Sequence, residues 1–319
     1  MLNNNLPIKN SSTKKSNKVV LKLPIRARIE ICRFCNLKCS SCPIGRGKIK
    51  NKKMMSFSNF KFIIDKIKIS VKELSLFNYG EPLLNPEIVK MIKYAKKNGI
   101  KIVNIHTNGL LLNKKLSKQL VESGLDYISF SIDGASEETY KKYRIGGDFN
   151  KLVKNIREFI EIKKNLKSRK PFIEAQFVVM KHNQHEINKF GQIFKKIGVN
   201  KVVFKTFNAY MSGYKDREKN LKYLPTDTNY SRYKTLEAKE LFDVYKSNYC
   251  VWAWENVVIN ANGDIALCCH DFNADLKLGN ILHNENWWDN NNRRKIQARI
   301  LDKKNALCKH CNIGVLYLN

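Results

Sequence analysis

Residues 32–42 read CRFCNLKCSSC, four cysteines in eleven positions. Thiolates are soft ligands for zinc and for iron–sulfur clusters. In a chain without an export signal, cysteines spaced this way serve metals more often than disulfides. Cys35, Cys39 and Cys42 form CxxxCxxC. Three thiolates on a short loop can grip three irons of a [4Fe–4S] cluster and leave the fourth iron open to a small molecule. Counting Cys32 gives CxxCxxxCxxC, the four ligands of a closed structural zinc site. Spacing alone leaves both open. The other five of the nine cysteines fall late, as Cys250, the pair Cys268 and Cys269, and Cys308 with Cys311.

The elements that must position these residues alternate. IRARIEI (25–31) reads as a strand running into the cysteines, and Phe57, Phe60, Ile63, Ile64 and Ile67 fall at helical spacing behind Ser56 as N-cap. ELSLFN (73–78) is a strand, and NPEIVKMIKYAKKNG (85–99) a helix with Pro86 in its first turn and Gly99 as its stop. Strands at 100–107, 126–133, 171–180 and 201–206 follow, with helices at 114–124, 149–165 and 185–198 between them. Strands alternating with helices imply a parallel sheet built from right-handed crossovers. Six such units are fewer than the eight of a closed barrel, so an α/β fold with an open, partial (β/α)6 barrel is expected over residues 25–206. Residues 207–249 lose the rhythm and read as a connection lining a substrate mouth. Residues 250–319 read as a smaller unit with a hairpin turning at Asn262-Gly263 and a helix after Trp287.

Composition narrows the function classes. The first 24 residues are polar and basic with no apolar run, which reads as a disordered tail and not a secretory signal. No stretch reaches the roughly 18 to 20 apolar residues that span a bilayer, so a cytoplasmic protein is expected. The 59 Lys and Arg exceed the 28 Asp and Glu by 31 charges. They are scattered among Asn and Ile over the whole chain, so a nucleic-acid stripe is not expected, and a preference for anionic substrates is what remains.

ARIEICRFCNLKCSSCP (27–43) resembles the cluster loop of the radical S-adenosylmethionine enzymes. The resemblance implies that Cys35, Cys39 and Cys42 hold a [4Fe–4S] cluster and that Cys32 is no ligand. Ser41 departs from the pattern, which often has an aromatic residue there. Further matches stand at successive strand ends. NYGEP (78–82) implies Gly80, Glu81 and Pro82 beside the methionyl amino group of S-adenosylmethionine. HTNG (106–109) implies a cofactor-binding role for Thr107 and Asn108. SIDG (131–134) implies Ser131 and Asp133 beside the methionyl and ribose groups, and Arg144 matches the methionyl carboxylate bidentately.

The C-terminal pattern, Gly263-x4-Cys268 with Cys308-x2-Cys311, resembles the SPASM or twitch extension of the same enzymes. It implies an auxiliary [4Fe–4S] cluster on Cys250, Cys268, Cys308 and Cys311, and one such cluster only. Zinc on these thiols is the alternative. Neighbouring strand residues face opposite ways, so only one of Cys268 and Cys269 can be a ligand. The Gly-x4-Cys match favours Cys268, with Cys269 buried among apolar groups. His270 and His310 are expected outside the ligand set.

The function implied is an oxidoreductase. A 5′-deoxyadenosyl radical removes hydrogen from the substrate and the auxiliary cluster takes up an electron. His106, Lys205, Tyr210 and Asp271 are the candidates for the base. With about 24 residues before the first strand, no leader-binding domain is expected. That points to a small polar or sugar-like substrate, with a peptide as the alternative and flavodoxin or ferredoxin as electron donor. Outside enzymes, the rival is a zinc-stabilised nucleic-acid-binding protein.

Overall fold

The computed structural model describes residues 21–211, 213–235, 250–302, 304, 305, 307, 308 and 311. The stretch 1–20, the latter part of the connection (236–249) and His310 lie outside the described residues. Strands β1 (Arg26–Ile29), β2 (Glu73–Ser75), β3 (Ile102–Thr107), β4 (Tyr127–Ser131), β5 (Phe172–Val179) and β6 (Lys201–Thr206) form the alternating half. Helices α1 (Phe57–Ile67), α2 (Ile88–Lys97), α3 (Lys114–Val121), α4 (Glu137–Tyr143), α5 (Phe149–Asn165) and α6 (Ile187–Ile197) lie between them. Caps mark where helices start. Ser56 accepts from the Asn59 N–H, Asn113 from Leu116 and Asp148 from Lys151. Gly198 stops α6 with φ 96°.

All pairings from β1 to β6 are parallel. The period of two divides each strand between two environments. Ala27, Ile29, Leu74, Val103, Ile105, Ile128, Phe130, Ala175 and Phe177 are buried, in one core with the apolar faces of the helices. Their alternates, among them Arg28, Ser75, Asn104, His106, Glu174 and Gln176, line an interior cavity of about 530 Å³. A closed barrel fills its interior with packed side chains; this partial barrel keeps a polar hollow.

After the connection, which includes α7 (Arg217–Leu221), come α8 (Val251–Trp254), β7 (Asn256–Ile259), β8 (Ile265–Ala266) and α9 (Asn291–Leu301). The hairpin turn falls at Asn262-Gly263 as expected, with Gly263 at φ 88°. The hairpin does not stand apart from the barrel. Strand β7 pairs in parallel with β1, and the sheet runs β6-β5-β4-β3-β2-β1-β7-β8. The free edge of β1 offers unpaired backbone groups that β7 satisfies. The last residues of the expected tail also differ from expectation, since Lys22 accepts from the Trp288 indole at 2.8 Å and the Leu21 N–H donates to Asp289. Among the described residues no helix is long and apolar enough to cross a membrane.

Candidate active site

The cysteine loop follows β1, and its geometry depends on close backbone contacts. Gly45 sits against the Cys39 carbonyl oxygen, where a Cβ would come within 2.2 Å. Gly80, from the loop after β2, lies against the Cys32 carbonyl oxygen, where a Cβ would come within 1.8 Å. The Glu81 N–H donates to the Phe34 carbonyl at 2.8 Å. Glu30, buried in the first strand's extension, accepts from the Tyr79 and Gly80 N–H groups at 3.0 and 3.2 Å. Burial pushes the Glu30 carboxyl up, while Arg33 and those two N–H groups pull it back.

A cavity of about 240 Å³ opens here. Cys35, Cys39, Cys42, Gly80, Glu81, Thr107, Asn108, Ser131, Asp133 and Arg144 all line it. Pro82 does not; it is buried at the start of a short 3-10 turn. Cys32 is buried outside the lining, its thiol directed to the Phe34 carbonyl at 3.6 Å. The strand ends brace one another across the cavity. Glu81 accepts from the Thr107 hydroxyl at 2.6 Å, the Leu83 N–H at 3.0 Å and the Asn108 N–H at 2.8 Å. Asn108 in turn donates its amide to Asn36 at 2.8 Å. Asp133, at φ 65° and fully buried, accepts from the Val178 N–H at 2.7 Å and pairs with Arg144. Arg144 also reaches the Cys39 sulfur at 3.8 Å, and its Nε is buried without a hydrogen-bond partner.

These residues fit a cluster. N–H groups of Leu37, Asn108 and Arg144 point at the Cys35 and Cys39 sulfurs, as hydrogen bonds that tune iron–sulfur thiolates do. The three thiols share one cavity wall, which leaves room for a group held between them. Burial pushes Cys35 up to about 12 and Cys42 to about 11, so loading displaces protons.

The late cysteines form a second set. Burial pushes Cys308 up to about 12, with the Cys311 and Cys250 thiols adding to it. Burial also raises Cys268, with Cys269 and Cys311 adding. These influences link Cys308 with Cys311 and Cys250, and Cys268 with Cys269 and Cys311. Tyr79 stands between the two sets. Burial raises its phenol, with Cys269, Cys42 and Cys268 adding, and its hydroxyl donates to the Cys269 carbonyl at 2.8 Å.

The larger cavity adjoins the smaller, sharing Phe77, Asn78, Tyr79, His106, Gln176 and Met211. His106 and Lys205 line it. Burial holds the His106 imidazole well below its ordinary range, reinforced by the charges of Lys205 and Arg28. Two expected bases are elsewhere. Tyr210 is packed against Tyr233, and Asp271 is turned to the Leu267 N–H at 3.1 Å, so neither lines either cavity. Cys269 also corrects an expectation. It lines the polar cavity beside Arg28 and not an apolar core, because the turn that follows β8 buries Cys268 and leaves Cys269 on the wall of the hollow. His270 lines the same cavity. Sequence reasoning missed Arg28, Glu30 and Tyr143. The first two carried a signal, being polar residues at every second position of an otherwise apolar strand. Tyr143 lines the smaller cavity and hydrogen-bonds Ser41 at 2.6 Å.

Residues 29–189 match the sequence family described as the Radical SAM superfamily, and residues 250–312 match SPASM, an iron–sulfur cluster-binding domain. The chain is similar to a Methanococcus aeolicus protein named probable GTP 3′,8-cyclase, 35% identical over 183 residues, covering 54% of this chain and 56% of that one. It is 28% identical over 274 residues to GTP 3′,8-cyclase of Clostridium botulinum strain Langeland, covering 78% and 83%. The chain spans about half the length of the archaeal relatives it matches. In fold it resembles BtrN in complex with AdoMet and 2-DOIA, with TM-score 0.55, 18% identity and coverage of 92% and 94%. It also resembles anSMEcpe with bound AdoMet and Cp18Cys peptide, with TM-score 0.60, 20% identity and 93% of each chain covered.

The contact between Gly80 and Cys32 is testable by itself. Gly80→Ala is expected to cost about 2 kcal/mol or more, because backbone must move on one side or the other. Urea denaturation measures it, and an unchanged midpoint would show that the two loops are not in contact.

Proposed function

The chain belongs to the radical SAM superfamily, and from that premise we propose that it is an oxidoreductase acting on a small polar or sugar-like molecule held in the larger cavity. The observation that carries this reading is the wall shared by the two cavities. A reactive group formed in the smaller one faces directly into a polar hollow large enough for such a molecule.

When loaded, a [4Fe–4S] cluster on Cys35, Cys39 and Cys42 supplies the one-electron cleavage of S-adenosylmethionine to a 5′-deoxyadenosyl radical, and a second on Cys250, Cys268, Cys308 and Cys311 supplies a sink for a second electron. The chain's own residues bind and orient. Gly80 and Glu81 would meet the methionyl amino group. The partnerless Nε of Arg144 is a donor for the methionyl carboxylate. Ser131 and Asp133 would meet the methionyl and ribose groups, and Thr107 and Asn108 hold Glu81 in place. His106 takes the substrate proton. Burial and two neighbouring cations keep its imidazole neutral, the form that accepts a proton. For an alcohol the balance would close, one hydrogen atom leaving with the deoxyadenosyl group, one proton going to His106 and one electron to the cluster that Cys250, Cys268, Cys308 and Cys311 would hold, with a carbonyl remaining. Flavodoxin or ferredoxin is the proposed external donor.

A second reading, a cyclase acting on GTP as the Clostridium botulinum relative is named, is favoured by the cations Arg28, Lys205 and Arg232 in the larger cavity.

Anaerobically reconstituted protein is expected to hold about eight irons in two four-iron clusters. It is expected to release 5′-deoxyadenosine with S-adenosylmethionine and dithionite. Cys39→Ala abolishes that release and Cys32→Ala keeps it; loss in both would remove the proposed ligand set. Deuterium transferred to 5′-deoxyadenosine from a deuterated sugar, sugar acid or sugar phosphate supports the oxidoreductase, and transfer from deuterated GTP alone supports the cyclase.

His106 sets the pH dependence. Its pKa in the folded protein lies below the ordinary 6.5, so the neutral form persists as pH falls through 6.5 and the acid limb of the rate profile lies below that value. His106→Gln is expected to lower turnover by about a hundredfold while 5′-deoxyadenosine release continues. Turnover as fast as in the wild type would exclude His106 as the base.

A further inference from the structure

The larger cavity contains an arginine, Arg28, that hydrogen-bonds the Cys269 thiol and has no carboxylate partner among the described residues. Arg28 projects from the middle of β1, paired by backbone to Ser75 on one side and Val258 on the other. Its guanidinium carbon lies over two rings, 5.0 Å from the centre of Phe77 and 4.6 Å from that of Trp252. Phe77 in turn stacks on His106, whose ring lies 4.0 Å away and 15° from parallel. A guanidinium held by aromatic rings is pre-organised, and its planar fork of donors suits planar and tetrahedral oxyanions.

Arg28 forms no ion pair among the described residues, and its Nε is buried without a hydrogen-bond partner. The thiol of Cys269 is beside it. The two carboxylates on the cavity wall are already engaged. Glu73 pairs with Arg26 at 3.2 Å, and Glu174 accepts from Tyr127 and from Ser129, the latter at 2.8 Å. Lys205 and Arg232 stand on the same wall. Burial lowers the pKa of His106 on this wall, and the charges of Lys205 and Arg28 lower it further. Among the described lining residues Arg28, Lys205 and Arg232 outnumber the carboxylates Glu73 and Glu174, a balance that suits an anion.

We infer that the larger cavity holds its substrate by an oxyanion, phosphate or carboxylate, seated on the Arg28 guanidinium beside Phe77 and Trp252, with Lys205 and Arg232 adding charge. The inference rests on the reading of this cavity as the substrate site. It narrows the substrate to a small polar molecule bearing a phosphate or carboxylate group, and it disfavours neutral polyols. It also assigns Trp252, two residues from Cys250, a part in building the site.

Calorimetric titration of the reconstituted full chain tests it, with phosphate, acetate and neutral glycerol as probes at constant ionic strength. Saturable binding of phosphate or of acetate, and not of glycerol, is expected; which ion binds tells the phosphate source from the carboxylate source. Arg28→Gln is expected to weaken that binding at least about tenfold. Arg28→Lys, which keeps the charge without the planar fork, is expected between the two. Lys195→Gln, on the exposed face of α6, is expected to bind as the wild type does. Iron content and uncoupled 5′-deoxyadenosine release are read on each protein. A variant that keeps both is folded, and if Arg28→Gln keeps neither, Arg28→Lys carries the test. Wild-type affinity in the folded Arg28 variants, equal binding of glycerol, or no saturable anion binding overturns the inference. Wild-type protein that binds phosphate yet releases no 5′-deoxyadenosine overturns the radical reading and leaves the anion site standing.

Discussion

The carboxylate of Glu81 is the constraint on which the smaller cavity depends. It leaves water completely on folding, which costs several kcal/mol unless donors replace the lost hydration. Three donors do so, the Leu83 N–H from its own loop and the Thr107 hydroxyl and Asn108 N–H from the end of β3. Burial still pushes its pKa up against those bonds, so the balance tolerates no missing donor. The bonds exist only when β2 and β3 keep their register, Glu73 opposite Ile102. The same loop presses Gly80 onto the Cys32 carbonyl and takes the Phe34 carbonyl with the Glu81 N–H. One buried charge therefore joins three loops that are far apart in sequence, and the cysteine loop inherits its shape from that junction.

A second buried charge closes the opposite wall. Asp133 and Arg144 pair where β4 ends, with Asp133 fully buried and the Arg144 side chain 14% exposed. Losing either partner would strand the other, at a cost of about 3–5 kcal/mol. The pair is supplied by α4, a seven-residue helix capped by Ser136 that delivers Arg144 at its C-terminal end. Its neighbour Tyr143 reaches across to Ser41 in the cysteine loop. An aromatic side chain thus lines the cavity although Ser41 itself is not aromatic.

Most of the fold was legible because periodicity and caps agree with the core. The helix over Phe149–Asn165 and the strand over Lys201–Thr206 fall on their expected bounds, where an apolar stripe and a β-branched run leave no competing pattern. Gly80, Thr107 and Asp133 were legible through the resemblance, whose motifs stand at or a few residues past the ends of β2, β3 and β4. Helix α4 was missed because EETYKKY is too short for a clear 3.6-residue stripe and its start is marked only by a Ser with two acids behind it. The placement of Tyr210 and Asp271 was not legible, because which way a loop side chain turns depends on packing partners remote in sequence. The union of β7 with β1 was hidden more deeply. It joins segments more than two hundred residues apart, and nothing local in NVVI names its partner.

That union brings the late segment of the chain to the wall of the larger hollow. With β7 hydrogen-bonded to β1, α8 and its Trp252 are drawn against Arg28, while the end of β8 brings Cys269 and His270 to the same wall. Tyr79 then lies between the early and the late cysteines, tied to the first by the Glu30 clamp on its N–H and to the second by its hydroxyl on the Cys269 carbonyl. Arg33 makes the same join from below, pairing with Glu30 at 3.2 Å and donating to the Phe272 carbonyl at 2.6 Å. An open barrel of six strands has a polar interior that water would fill. Here the C-terminal hairpin closes one side, and its closing residues are also those that give the interior its charge. Changing the hairpin should therefore alter which molecule fits the hollow while the Glu81 junction, held by other strands, keeps its geometry.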